Sequence, residues 1–401
     1  MKCEELGFKL QSSSHQELWS LDSDVVFLNH GSYGACPKAV LAVQQSLRSQ
    51  LEQDPVNFFG RKWEPLLDNA RSKLAAFIHT DIQDLVFVPN ATTGVNSVLR
   101  SLHFAPDDEI LTTNHEYNAC RNALNFIASR TGARVVVAQI PFPVESPQQI
   151  IAAVLEKVSP KTRLALIDHI TSQTGLIFPI AQLVKELQAR GVETLVDGAH
   201  APGMISLNMQ EIGATYYSGN CHKWLSAPKG AAFLYVQRDK QAEIHPLTIS
   251  HGANSPRTDK SRFQLEFDWT GTDDPTAFMC VPEAIAFMGS LLPGGWIELM
   301  QRNHQLVIQA RQLLCTTLQI QPPCPAEMIG SMAVVPMPVS LANQSHIWLH
   351  DELFDQFGIQ VQVIPWTESP GILMRISAQI YNTLEQYEYL ATALKYCMKQ
   401  N

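Results

Sequence analysis

Between Leu85 and Val236 the chain alternates short apolar runs with helix-length amphipathic stretches, and few architectures accept that pattern. The runs are Leu85–Pro89, Glu109–Thr113, Val135–Ile140, Leu164–Ile167, Val192–Val196, Thr215–Tyr217 and Ala231–Val236. Most are apolar throughout, as strands buried on both faces are. Between them, Pro147–Val158 and Ala181–Arg190 read as helices, and Gly191 stops the second. Strand–helix alternation of this kind predicts an α/β fold with a mostly parallel sheet sandwiched by helices. Such sheets bind ligands beyond the carboxyl ends of their strands. The residues that follow each apolar run are therefore the ones to examine.

The stretch Val192–Gly230 carries the most chemistry. Asp197 ends one apolar run, and a polar loop with Gly198, His200 and Gly203 follows. The next run leads into His222-Lys223-Trp224. An acid and a lysine thus stand at the ends of two strands. Pyridoxal phosphate (PLP) needs such a pair: a lysine amine forms a Schiff base with its aldehyde, and a carboxylate keeps its pyridine nitrogen protonated. By residue type alone, most Asp and Lys are simply solvated. The surrounding motif decides. Asp197-Gly-Ala-His200 with His222-Lys223 resembles the class V aminotransferase family of fold-type I PLP enzymes.

That resemblance runs from Asn29 to about Asn382 and implies an aspartate aminotransferase-like architecture. It divides the chain into an N-terminal segment, 1–24, a large PLP-binding domain, 25–281, and a smaller C-terminal α+β domain, 282–401. It implies that Lys223 holds the cofactor, Asp197 pairs with the pyridine nitrogen, and His200 bonds the phenolic oxygen. Tyr117 is expected to stack on the ring, with His115 as the alternative. Gln173 matches a ring-oriented amide. Thr92, Thr93, Asn220 and His222 are expected to hold the phosphate, with Thr272 of the partner subunit, which implies a homodimer with shared sites. Independently, Leu85–Pro89 followed by Asn90–Asn96 is a strand, a polar loop and a helix start, which makes an anion site. Arg375 interrupts the apolar run Ile372–Ser377, and the resemblance makes it the clamp for a substrate carboxylate. His30 and Ser32, in the glycine-bearing segment Asn29–Gly34, are expected to edge the substrate pocket.

Composition excludes other classes. The chain has 401 residues, net charge -9 and no long basic run, so nucleic acid is not an expected partner. No stretch reaches the roughly eighteen apolar residues of a membrane helix. The polar start, Met1–Trp19, has no signal-peptide core, and a cytoplasmic protein is expected. The 8 cysteines form no C-x-x-C pair, so neither zinc nor a disulfide framework is indicated. Cys221 reads as packing despite its position beside His222. Asp168-His169 lacks a third metal ligand.

Within the class, the isopenicillin N epimerase-like subgroup is most similar, through Asn29–Gly34, His222–Leu225 and Trp269–Thr272. Desulfurases of the class carry a cysteine on the loop before the substrate arginine. Here that loop, Val361–Gly371, has none, which argues against persulfide formation. The expected step is removal of the α-proton of an amino-acid substrate by Lys223. Epimerisation, elimination at a cysteine S-conjugate (C–S β-lysis) and transamination all remain open from there. Epimerisation needs a second acid, for which His30, Tyr117 and Tyr33 are the residues at hand. His251 and Arg257 are candidate contacts for a second substrate carboxylate. A non-catalytic binding protein on this fold is the remaining alternative, and the presence of both Lys223 and Asp197 speaks against it.

Overall fold

A computed structural model describes residues 13–366 and 371–400. Half of the expected N-terminal segment and residues 367–370 of the loop before Arg375 lie outside the described residues.

Twelve strands are described. β1 is Val26–Phe27, β2 Leu85–Val88, β3 Glu109–Thr113, β4 Arg134–Ala138, β5 Thr162–Asp168 and β6 Glu193–Asp197. β7 is Tyr216–Asn220, β8 Ala232–Val236, β9 Met332–Pro336, β10 Ile359–Gln360, β11 Gln362–Pro365 and β12 Ile372–Ser377. The main sheet has the order β2-β8-β7-β6-β5-β3-β4. β8 runs antiparallel to both its neighbours, and the other pairs are parallel. The mostly parallel α/β sheet expected from the alternation is the one observed.

Each strand feeds two cores, because successive side chains point to opposite faces. Val86, Val88, Leu164, Leu166, Leu195 and Tyr216 join Val95, Val98 and Leu124 of the helices Ala91–Ser101 and Asn118–Thr131. Leu85, Phe87, Ala165, Ile167, Val196 and Tyr217 face Leu67, Leu74, Ile150, Leu183 and Leu187 on the other side. This double burial is why the strands read as unbroken apolar runs.

A helix spans Lys38–Gln53, with Pro37 as its N-cap. Asp54 breaks it, its carboxylate accepting the Asn57 N–H. Helical turns resume at Pro55 and run on to Phe77. Arg262–Asp268 is a helix capped by Ser261. The smaller sheet is antiparallel, with the order β11-β12-β9. β1 pairs in parallel with β10, so the chain start is tied to elements beyond residue 282. That pairing sets the segment Asn29–Gly34 between the two sheets. Among the described residues no single helix is long and apolar enough to cross a membrane.

Candidate active site

The carboxyl ends of the parallel strands meet at one pocket of about 140 Å³. Its walls include Asp168 and Asp197 from β5 and β6, Asn220 at the end of β7, and His222 and Lys223 just beyond. The loop after β3 brings Tyr117, and the helix after β2 brings Thr92. Ser32 and Tyr33 close the side that faces the smaller sheet.

Lys223 reaches the pocket because β7 ends in a tight turn packed under the Asn29–Gly34 segment. Gly34 has φ +69°, and a Cβ there would lie 2.1 Å from the His222 carbonyl. Only glycine accepts that backbone and that approach. The Lys223 Nζ lies 3.1 Å from the His200 Nε2. Burial lowers its amine to about 8, with the Arg375 charge adding to the effect and Asp197 opposing it. Burial holds the His200 imidazole well below its usual value, so the ring is neutral. Its Nδ1 is buried and has no partner.

Asp197 is 2% exposed. Its Oδ1 accepts the Ala199 N–H at 2.9 Å, and the Cys120 thiol donates to Oδ2 at 3.1 Å. Burial raises its carboxyl, and those donors together with the Lys223 charge work against the rise.

Arg375, on β12, is 3% exposed. Its Nη1 donates to the Ser172 carbonyl, and its Nη2 donates to Ser32 Oγ at 2.9 Å and Asn29 Oδ1 at 3.4 Å. Nε is buried without a partner, and no carboxylate pairs with the guanidinium among the described residues. Burial lowers it to about 10. A buried cation without a counter-ion is costly unless an anion joins it.

The helix Ala91–Ser101 supplies the anion end. Asn90 caps it, accepting the Thr93 N–H at 2.8 Å and the Thr93 hydroxyl at 3.1 Å. The Asn220 Oδ1 accepts the Ala91 N–H at 2.8 Å. Thr92 and His222 complete that wall, with His222 Nδ1 bound to the Ala231 carbonyl at 3.1 Å.

Several expected residues lie elsewhere. The His30 ring is buried, with Nδ1 2.7 Å from the Tyr381 hydroxyl and Nε2 3.0 Å from the Lys223 carbonyl. It braces the Lys223 turn and does not edge the pocket. The Thr93 side chain is used in the cap and faces a different cleft, beside Trp63 and Trp269. Gln173 lines a separate cleft with Asn118 and Arg121, because its neighbour Ser172 takes the pocket side and meets Arg375. His115 is turned into Phe142, Phe178 and Trp366, which removes it as an alternative to Tyr117 for stacking. Thr272 is exposed and absent from its own chain's pocket. Arg257 pairs with Glu64 and Asp259, so it is not free for a substrate carboxylate. His169 turns to the Tyr217 hydroxyl at 2.9 Å and lines another cleft. Sequence reasoning missed Ser172, Glu116 and Cys120, and reached Asn29 and Asn90 only as members of a segment. Only their positions at strand ends or beside glycines offered a signal.

The pocket fits PLP on its own features. A desolvated amine stands beside a neutral histidine, a buried carboxylate lies on one wall, and a helix N-terminus on another. His200 Nδ1 and Asp168 Oδ2 are buried polar atoms left for a ligand or proton to satisfy.

Comparison with known proteins agrees. The chain is 34% identical to isopenicillin N epimerase of Streptomyces clavuligerus, covering 93% of this chain and 95% of that one. It is 32% identical to a probable chloroplastic L-cysteine desulfhydrase of Arabidopsis thaliana, covering 93% and 83%. The structure of the cystine C–S lyase C-DES with its product cysteine persulfide superposes with a TM-score of 0.77 at 22% identity, covering 93% and 97%; it speaks for the fold. Residues 27–390 match the family described as Aminotransferase class-V. The chain therefore belongs to the aminotransferase class-V family of PLP-dependent enzymes.

Proposed function

We propose that this enzyme cleaves the Cβ–S bond of a cysteine S-conjugate or sulfoxide after removing its α-proton. PLP, when bound at Lys223, supplies the electron sink that makes the α-proton acidic. Arg375 holds the substrate carboxylate through two parallel N–H bonds, replacing the Ser32 contact or sharing it. Lys223, whose amine burial lowers to about 8, takes the α-proton in its neutral form. The Cβ–S bond then breaks, and the electron pair leaves with sulfur. Addition of water releases pyruvate and ammonia.

The observation that carries this reading is the supply of bases. Elimination needs one, and Lys223 is the one amine in the pocket among the described residues. His30, a candidate for the second face, is bonded at both ring nitrogens and faces away. The desulfhydrase relative supports the same reading. A second reading, epimerisation, draws on Tyr117 and Tyr33, whose phenols line the pocket and would supply a proton to the other face. The epimerase relative supports it.

The two copies of a homodimer would share their sites. Thr272, exposed on the segment after Trp269, would join Thr92, Asn220 and His222 at the phosphate of the other copy.

Proton NMR of the holoenzyme in D2O, with amino acids and S-substituted cysteines, separates the readings. Pyruvate together with a released thiol or sulfenate is the expected outcome. Loss of the α-proton signal with no keto acid formed would establish the epimerase and overturn the lyase.

A further inference from the structure

Three buried carboxyl groups lie together at one wall of the pocket: Asp168 and Asp197, which line it, and Glu116 beyond them. Glu116 follows β3, and Asp168 and Asp197 are register partners at the ends of β5 and β6. A carboxyl oxygen of Glu116, the Cys120 sulfur and a carboxyl oxygen of Asp197 lie within 4.8 Å of one another. The backbone N–H of Tyr117, at the start of the helix Asn118–Thr131, faces both Glu116 and Asp168.

The donors do not suffice for three anions. Thr112 Oγ1 donates to Glu116 Oε2 at 2.7 Å, and Cys120 and Ala199 donate to Asp197. Glu116 Oε1 and Asp168 Oδ2 are buried with no partner. Arg121 is the cation on that side, and its Nη2 is spent on the Thr113 carbonyl. Lys223 approaches from the pocket side. Three like charges at this depth cannot all persist, and protons must remain on some of them. Glu116 also lines the cleft of Asn118, Arg121 and Gln173, which gives it a route to solvent protons that avoids the substrate pocket.

We propose that Glu116 is a positioning residue: as a neutral carboxylic acid it donates into the Asp168–Asp197 pair, leaving Asp197 to carry the anion opposite the cofactor's pyridine nitrogen. This rests on the PLP reading of the pocket. Glu116 never meets the substrate. Its effect is to concentrate one negative charge on the strand end where the pyridinium must be held. Burial pushes the Glu116 carboxyl up to about 8, with the Asp197 charge adding to it, and raises Asp168 well above its usual value too, so Glu116 and Asp168 both hold protons more readily than an ordinary carboxylate.

The test compares wild type, Glu116→Gln and Glu116→Met. Infrared spectra of the holoenzyme with labelled glutamate at neutral pH should show the C=O stretch of a protonated glutamic acid, absent from both variants. Gln keeps a neutral donor, so its PLP dissociation constant should stay within about threefold of wild type. Met has none, and loss of a hydrogen bond to a charged group should weaken PLP binding by about tenfold or more. The absorption of bound PLP at its pyridinium-sensitive band should follow the same order. Absence of the protonated band would overturn the proposal, as would a Gln variant as weak as Met or a Met variant as tight as wild type. If Met does not fold, the infrared band and the Gln variant still decide. Failure of the PLP reading would look different: wild type itself would bind no PLP, whatever the band shows.

Discussion

Lys223 lines the pocket, Arg375 is bonded to Ser32 and Ser172 of its wall, and burial desolvates both cations. Their repulsion is useful, because it favours the neutral amine that must attack an aldehyde or take a proton. The Lys223 amine falls from its usual value to about 8, mainly through burial. Raising pH through about 8 therefore increases the neutral fraction, and below it that fraction falls about tenfold per pH unit. The rate at which apo-protein takes up PLP should rise with pH and level off above about 8. Stopped-flow growth of the cofactor absorption band measures this, with Lys223→Ala as the silent control. A rise centred near pH 10 would mean that the amine is solvated. Lys223 stood out in sequence through the motif around it, and Arg375 through its place inside an apolar run. The directions of His30 and Gln173 were not legible, since nothing in their types says which way a loop residue turns.

At the level of elements, the Asn29–Gly34 segment is what joins the smaller sheet to the pocket. β1 docks on β10, and Ser32 reaches Arg375 while Gly34 seats on the His222–Lys223 turn. Substituting Gly34→Ala sets a Cβ 2.1 Å from the His222 carbonyl and 2.9 Å from the Lys223 Cα, at a φ of +69°. The segment must lift, which should cost about 1–3 kcal/mol of stability. Ser32 and Arg375 should lose register with it. Thermal melts and steady-state kinetics should show a lower Tm and a raised KM, with Lys223 still labelled by PLP. An unchanged KM would remove this segment from substrate binding. The segment read in sequence as ligand-facing, and in the structure its Ser32 and Tyr33 line the pocket. The expected role of His30 failed because the short helix His30–Tyr33 rotates the imidazole towards Tyr381 and Trp224.

The whole molecule is expected to act as a pair. Thr272 is exposed, and the cleft beside it, lined by Trp63, Phe87 and Trp269, lies next to Thr93 on the phosphate helix. If Thr272 serves the partner's site, a mixed dimer of Lys223→Ala and Thr272→Ala has one intact site. At limiting PLP such hybrids should regain about half the wild-type activity, whereas each parent dimer has far less. Co-expression with two affinity tags, followed by an assay for pyruvate, measures it. No gain over the parents would assign Thr272 to its own chain or to neither.

The sequence by itself determined the sheet, its mostly parallel sense and the residues at its strand ends. Apolar runs of strand length leave a buried parallel sheet as the means of satisfying their backbone groups. It also pointed to Lys223 and Asp197 as a pair, through a motif that spans two adjacent strands, β6 and β7. Only the tertiary structure decided which neighbours of those residues face the pocket. Ser172 faces it and Gln173 does not, and Thr92 faces it while Thr93 caps its own helix. Adjacent residues on a loop point apart, and their directions are fixed by contacts with distant elements such as β12. The Glu116–Asp168–Asp197 group is of the same kind: three acids scattered along the chain become one electrostatic unit only when β3, β5 and β6 end side by side.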